Sequence, residues 1–519
     1  MPFSEETDLT SIAELSRLLI QKGYQSYIVG GFVRDSLLGR QTNDVDIAVN
    51  GDAVAVARAL ARALEGKFVL LDEVNSIARV VVTGERWREG DRRDQESWEP
   101  EWHLDFSSFS QNIEADLGRR DFTINAMAVE LSQLVMAARA GVGEEKEPQV
   151  KLIDPFSGEE DLRNRIVRAV SDRIFEADAA RLLRGVRLAA ELDFTIEPGT
   201  ERLIRHCSQA MVEVPGERIR EELLRLLSLP RTAYYLRYLD QLGLLLALIP
   251  ELAESKGIQQ PTVHFWDVFD HSLETVAALG FLLKETDWEY GSEDMLDSVP
   301  WSDSLAQHFA QEVSKGGKRK ALLKLGGLLH DIAKPRTKSL DDSGRARFLG
   351  HAKQGAAMVE AVMSRLRFSR QEISLVERLV RHHLRPAQMA NEGLPTQRAI
   401  YRYFRDTKDA GIDILFLALA DYLASRGPLA SMKEWRDNCR LVDYISAEHA
   451  KQQAKVLPVK LVDGHDLIST FGLTPGPSVG KLLALVREAQ ASGELTTRGE
   501  ALAMVRRELG KQKDVMKVG

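Results

Sequence analysis

The chain has only two cysteines in 519 residues, Cys207 and Cys439, and they lie far apart. That excludes a disulfide framework and any cysteine-ligated metal site of recognisable spacing. No apolar run reaches the roughly 18 residues that a membrane span needs. Nor is positive charge in excess: 77 acidic against 69 basic residues leave a net charge of −8. A surface coated with cations for non-specific nucleic-acid binding is thereby disfavoured, although a local basic groove is not. Fixed-period repeats and low-complexity tracts are also missing. The opening MPFSEETDLT is acidic where a secretory signal would be basic and then apolar, so the expected compartment is the cytoplasm.

With 44% hydrophobic and 28% charged residues the composition is that of a globular protein, and about 100–200 residues per domain gives three or so domains. Residues 8–23 carry helical apolar spacing, and Tyr27-Ile28-Val29 reads as a buried strand running into Gly30-Gly31. Asp44 to Val49 alternates as a strand does, 52–64 is an Ala-rich amphipathic helix, and strands at 67–71, 77–82 and 103–109 complete a small sheet. Residues 84–101 and 138–149 read as a charged loop and a turn or insertion. From about 160 onward the pattern is almost wholly helical, with Gly/Pro punctuation at 215–216, 230, 250 and 257–261 and breaks at 286–301 and 341–345.

The stretch GGFVRDSLLGRQTNDVDI, residues 30–47, concentrates two glycines, a cation and two acids. On a strand, residues i and i+2 share a face, so Asp44 and Asp46 converge while Val45 is buried behind them. Carboxylates held that close repel unless a divalent cation joins them, and hard oxygen ligands suit Mg²⁺, which brings nucleotide phosphates with it. A glycine turn allows close approach of the backbone, and Arg34 is a cation beside it. The competing interpretation is a solvated Asp-x-Asp beside an ordinary Gly-Gly turn.

The same stretch resembles the signature of the class II tRNA nucleotidyltransferase and bacterial poly(A) polymerase family, within the DNA polymerase beta superfamily. RRDFTINAM at 119–127, IDPFSG at 153–158 with Asp161-Leu162, FEADAARLLRGVRLAAEL at 175–192, and VPGER at 214–218 are similar to further family elements, in order. The resemblance spans roughly residues 20–250. It implies transfer of a nucleoside monophosphate from CTP or ATP to an RNA 3′-hydroxyl. It also implies Asp44 and Asp46 as metal-holding catalytic residues, with Asp105 a third acid. Gly31 and Arg34 would meet the triphosphate, and Arg120 and Asn125 the phosphate and ribose. On the helix 177–190, Asp178, Arg181, Arg184 and Arg187 recur every three residues and form one stripe. In the family an Asp and an Arg here read the Watson–Crick edge of the incoming base. Ala177 stands where the family has an acid, so CCA, CC-only, A-only or poly(A) addition all stay open.

His271, His330-Asp331, His351, His382-His383 and Asp421 fall within about 150 helical residues of a chain with 11 histidines. Imidazole and carboxylate together suit Mn²⁺, Fe²⁺, Ni²⁺ or Mg²⁺. FWDVFDHSLETV, LLHDIAKPRTK, GHAKQGA, VRHHLRP and LALADYLASRG resemble the HD phosphohydrolase superfamily. That resemblance implies ligands at His271, His330, Asp331 and Asp421, with His351 and His382 or His383, here taken as His383, for a second metal. Lys334 and Arg336 would bind a departing phosphate. VDGHDLI at 462–468 and PGPSVGKLL at 475–483 resemble the C-terminal segment of the same nucleotidyltransferases.

The expected fold is therefore α+β. A small polymerase-beta-like nucleotidyltransferase head spans 1–160, a helical neck 161–255, an HD phosphohydrolase-like domain 256–445, and a helical RNA-binding tail 446–519. The expected function is template-independent addition of CMP and/or AMP to the 3′ end of tRNA, with CTP, ATP and Mg²⁺. A divalent transition metal or Mg²⁺ is expected at the HD site, and no membrane partner. The rivals are a poly(A) polymerase, or an HD phosphohydrolase with an inactive head. Oligomeric state is not legible.

Overall fold

The alternation in Asp44 to Val49 and the apolar Tyr27-Ile28-Val29 give two adjacent strands. β1 is Ser26–Val29 and β2 is Asp44–Val49, joined by helix α1, Gly31–Leu37. The computed structural model describes residues 16–17, 19–21, 23–73, 75–83, 101–133, 150–261, 264–390, 393–454, 460–491 and 493–515. Most of the expected 8–23 helix, nearly all of the 84–101 loop and the 138–149 turn lie outside those residues. The chain divides into two compact units, Met1–Val214 with Leu242–Leu244, and Pro215–Gln241 with Leu245–Gly519.

In the first unit α2 (Ala53–Ala63), β3 (Lys67–Asp72), β4 (Ile77–Val82), β5 (Trp102–Ser108), β6 (Ala128–Glu130) and β7 (Leu152–Ile153) follow. The seven strands form one mixed sheet in the order β3-β4-β5-β2-β1-β6-β7. Only β2 and β5 run parallel, with Asp46 opposite Asp105 and Asp44 opposite His103, while their neighbours pair antiparallel. Because side chains alternate, this register sends Asp44, Asp46, His103 and Asp105 to one face and Val45, Ile47, Leu104 and Phe106 to the other. Those four apolar residues are at most 1% exposed. Helix α2, capped by the Asp52 carboxylate on the Ala55 amide at 3.0 Å, packs along β4 and β5. Burial of that face holds the sheet together and leaves the acidic face for chemistry.

After the sheet comes helix α3, Ala180–Leu192. Gly185 on α3 faces Phe122: a Cβ there would sit 2.8 Å from Phe122 Cζ. The missing side chain thus lets the helix lie against the 119–125 segment.

The second unit is built of helices: α4 (Val268–Leu282), α5 (Arg319–Leu329), α6 (His351–Arg365), α7 (Arg370–His382), α8 (Gln397–Thr407), α9 (Gly411–Arg426), α10 (Met432–Ala454) and α11 (Pro477–Ala491), of which α4 and α9 are the most apolar. α4 packs on α5 and α9, and α7 packs on α5 and α6. Trp435 of α10 is fully buried and donates its indole N–H to the Met295 carbonyl at 2.8 Å. The helices Gly464–Phe471, α11 and Arg498–Val515 enclose a small core of their own around Leu467, Leu482, Val486 and Val505. Among the described residues three two-stranded ladders interrupt the helices, at 166–167 with 195–196 in the first unit, and at 312–314 with 317–318 and 338–340 with 346–348 in the second. The break foreseen at 341–345 is the turn of the last of them. Strands of two or three residues are too short to show a period-2 pattern.

Candidate functional site

In the head, each of the three acids on the β2/β5 face has a histidine or arginine neighbour. Asp44 Oδ1 lies 2.9 Å from His103 Nδ1, and Asp105 is gripped at both oxygens by Arg79, Nε and Nη2 each at 2.7 Å. Asp46 is desolvated, which raises its pKa; Arg120 and the Gly31 amide oppose that shift, whereas Asp105 adds to it. Gly30, at φ +73°, is the hinge of this arrangement. A Cβ on it would lie 2.6 Å from Arg120 Nη1 and 2.7 Å from Asp46 Oδ2, so only glycine permits both the left-handed turn and the approach of these groups. The donors, clustered carboxylates on one sheet face, suit hard divalent cations.

Arg34 is buried, and its guanidinium is already spoken for. It donates from Nε and Nη2 to Asp35 at 3.0 and 2.8 Å, and from Nη1 to Asn125 Oδ1 at 2.7 Å. Asn125 Nδ2 in turn donates to Asp121 Oδ1 at 3.1 Å, and Asp121 Oδ2 meets Arg184 Nε at 2.7 Å. A continuous polar chain thus joins Asp35, Arg34, Asn125, Asp121 and Arg184. Burial pushes the Asp121 carboxyl upward, but Arg184, Asn125 and the Phe122 amide prevail and hold it below the usual range. The motif at 119–127 alone assigns Asp121 no role; an acid directly after two arginines is the signal the sequence offers.

Arg120 has a buried Nε without a hydrogen-bond partner, 3.6 Å from Asp116 Oδ2. Arg181 donates to the carbonyls of Arg119 and Arg120 at 2.8 and 3.4 Å, and its Nε lies 3.8 Å from Asp178 Oδ2. Asp178 Oδ1 accepts from the Ala180 amide at 3.1 Å, so this residue both starts α3 and stands beside Arg181. Arg187 is buried and ion-paired with Glu191 one turn on. The stripe therefore splits, with Arg181 and Arg184 on the 119–121 segment, Asp178 beside Arg181, and Arg187 within the helix packing.

In the second unit four imidazoles converge on one buried carboxylate. Asp331 Oδ2 lies 3.1 Å from His330 Nε2 and 3.5 Å from His271 Nε2, while Oδ1 lies 3.4 Å from His351 Nε2 and 3.8 Å from His383 Nε2. Asp421 Oδ1 closes the first side, 3.1 Å from His271 Nε2. Carbonyls can only accept, so the Nδ1 atoms of His330, His351 and His383 carry the protons that bond Gly327, Phe348 and Val380 at 2.8, 2.6 and 2.7 Å. Their Nε2 lone pairs are thereby aimed at Asp331, as metal ligation requires.

Neither Asp331 oxygen makes a well-directed hydrogen bond, although Lys334 Nζ is 2.5 Å from Oδ2. A carboxylate with that surrounding fits a divalent cation on each side. Among the described residues the triads with mutual ligand spacing are His271/His330/Asp331 and Asp331/His351/His383, which share Asp331. Burial depresses His383 to about 4. Burial would lift Asp331, but His330 and Lys334 hold it well below the carboxylate range.

Of the two adjacent histidines, His383 joins the cluster. Arg336, expected at a phosphate, is instead locked bidentately to Glu254 at 2.9 and 2.6 Å. His264 had not been singled out: its ring stands edge-on to His271 at 5.5 Å, its Nδ1 is buried without a partner, and burial depresses it to about 4. It lies one residue before the motif that drew attention.

The arginine-rich run from 365 to 405 is largely neutralised. Arg365 binds Glu251, Arg378 binds Asp409, Arg385 binds Asp406, and Arg398, Arg402 and Arg405 all reach the buried Glu488 of α11.

Comparison with known proteins assigns residues 26–168 to the poly A polymerase head domain. Residues 193–256 match the probable RNA and SrmB-binding site of polymerase A, and 268–426 the HD domain. The chain is 32% identical to an A-adding tRNA nucleotidyltransferase of Deinococcus radiodurans, over 92% of this chain and 94% of that protein. It is 34% identical to a CC-adding tRNA nucleotidyltransferase of Thermus thermophilus, over 92% and 93%. The fold matches a Thermotoga maritima CCA-adding enzyme solved with tRNA, with TM-score 0.56, 22% identity, and 98% and 96% of the two chains covered. With both strands of argument, the acidic face of β2/β5 and the head-to-HD order of matched domains, the chain belongs to the tRNA nucleotidyltransferase family.

Proposed function

We propose that the head adds CMP and/or AMP to the 3′ end of tRNA from CTP and ATP, in the cytoplasm. The observation that carries this reading is the juxtaposition of Asp44, Asp46 and Asp105 on one sheet face with Arg120 and the Gly30 turn. Asp44 and Asp46 would hold the divalent ions, taken as Mg²⁺. Those ions, when bound, neutralise the triphosphate and favour ionisation of the attacking hydroxyl. Arg120, whose Nη1 stands beside the Gly30 turn and Asp46, would meet a phosphate oxygen, and Arg34 would fix Asn125. The Asp178–Arg181 pair offers an acceptor edge beside a donor edge, which is what a base edge requires. Charge development on the transferring phosphoryl group is best met by cations already in position, and the polar chain from Asp35 to Arg184 supplies that rigidity.

A second activity is favoured by the Asp331 cluster: hydrolysis of phosphate esters at a pair of divalent metals. His271, His330, Asp331 and Asp421 would hold one, and Asp331, His351 and His383 the other. Lys334, beside Asp331, is placed to bind phosphate.

The test is incubation with tRNA ending before its 3′ CCA, after C, or after CC, with each labelled nucleotide in turn and Mg²⁺. Defined addition of C, A or both supports the reading and names the base. Long tails from ATP alone mean poly(A) polymerisation. Cleavage of phosphate esters without any incorporation means a hydrolase with a silent head.

A further inference from the structure

Beside the histidine cluster lies a cavity of about 260 Å³ whose wall includes His383 and Asp421 at one end. Much of the remaining wall is hydrocarbon, from Leu384, Pro386, Ala418, Leu441 and Val442. Four further polar side chains border the space, and each has a partner in the protein: Ser425 Oγ donates to Asp421 Oδ1 at 3.4 Å, and the other three turn to Glu434. Tyr422 Oη and Arg426 Nη2 both donate to Glu434 Oε2, at 3.1 and 3.2 Å, and Asn438 Nδ2 donates to the Glu434 carbonyl at 2.9 Å. Glu434 therefore gathers the hydrogen-bonding capacity that would otherwise point inward. What is left is a pocket with metal-type ligands at one end and apolar surface along the rest. A molecule complementary to it is anionic at one end and apolar at the other, because buried polar groups without partners would weaken binding.

We propose that this cavity is the leaving-group subsite of the HD centre, accepting a phosphate ester whose alcohol portion is largely apolar. The proposal rests on the hydrolase reading of the cluster. In the reaction the ester P–O bond breaks, water contributes its oxygen to phosphorus, and the departing oxygen takes up a proton. The products are phosphate and free alcohol, with no change of oxidation state. Ala418 and Leu441 act as specificity residues. Ala418 lies one helical turn before Asp421 on α9, so enlarging it narrows the cavity without replacing a ligand.

The experiment uses the full-length chain loaded with Mn²⁺ and two non-hydrolysable probes, 2-naphthylphosphonate and methylphosphonate, with affinities from calorimetry. The wild type is expected to prefer the naphthyl probe by about tenfold, the gain from burying an aromatic ring. Ala418→Leu should bring that preference near unity while Mn²⁺ content and methylphosphonate affinity stay unchanged. Leu441→Ala, which removes apolar wall and adds no bulk, should cut naphthyl affinity about threefold. Equal affinities for the two probes in the wild type overturn the proposal, as does an equal loss of both in the variants at unchanged Mn²⁺ content. Turnover of 2-naphthyl phosphate is scored separately. Selective binding without cleavage sinks the hydrolase reading, and with it the leaving-group role, leaving only a binding pocket, whereas cleavage without selective binding keeps the hydrolase reading and overturns the subsite.

Discussion

Asp121 Oδ2 receives Arg184 Nε at 2.7 Å, and through this contact the 119–127 segment fixes an arginine of helix α3. The same carboxylate accepts from Asn125 and from the Phe122 amide, so one buried acid sets the register between two motifs that lie about 60 residues apart.

Replacing Asp121 with Asn keeps the shape and removes the charge. Arg184 is then left without its carboxylate, and the position of α3 relative to the triphosphate loosens. The expected result is a KM for CTP or ATP raised about tenfold with a smaller change in kcat. Stability should fall by about 1–2 kcal/mol, since Arg184 is partly solvated. Steady-state incorporation kinetics and urea unfolding measure the two effects. An unchanged KM would show that Arg184 needs no anchor.

Gly30→Ala addresses the turn. The added Cβ meets Arg120 Nη1 and Asp46 Oδ2 at 2.6 and 2.7 Å, and φ at +73° is unfavourable for alanine. Backbone strain of about 1–2 kcal/mol is expected, together with at least about a hundredfold loss of nucleotide incorporation from displaced charges. A thermal melt with an activity assay checks both. Full activity at lowered stability would mean that the close approach is incidental.

Much of the head and of the metal cluster was legible because its residues sit in short, ordered motifs. Asp44 and Asp46 are two apart on a strand, and His330-Asp331 follows an apolar helix. Long-range pairing was not legible. Nothing in local sequence says that Arg34 will be saturated by Asn125, 91 residues away, or that Arg79 will clamp Asp105 from the neighbouring strand. Nor does local sequence say that the arginines between 365 and 405 will be paired with Glu251, Asp406, Asp409 and Glu488. His264 escaped because a lone histidine outside a motif carries no spacing signal.

The two sites sit in separate compact units, so their activities should separate. Asp44→Ala or Asp46→Ala is expected to lower incorporation by at least about a thousandfold and to spare ester hydrolysis. Asp331→Ala should do the opposite and abolish bound metal at the cluster, read by metal analysis of the purified chain. Loss of both activities from either substitution in folded protein would contradict two independent sites.

Glu488 supplies a pH-dependent test of how α11 is held to α8. The carboxylate is 3% exposed and is reached by Arg398, Arg402 and Arg405. Burial pushes its pKa up, but the hydrogen bonds from Arg402 and Arg398 prevail, and the folded value lies below the usual glutamate range. A carboxylate with a depressed folded pKa contributes stability that is complete above the unfolded value of about 4.3 and is lost as pH falls through the folded one. Attachment of the C-terminal helices should therefore be pH-independent near neutrality and weaken below about pH 4. Glu488→Gln should remove about 1–2 kcal/mol at pH 7, discounted because the arginines are partly solvated, and should flatten the acid limb. Limited proteolysis of the segment beyond α10, followed from pH 7 to pH 3 in both proteins, reads the effect. Identical cleavage of variant and wild type at pH 7 would show that the apolar contacts of α11 hold it without the arginine cluster.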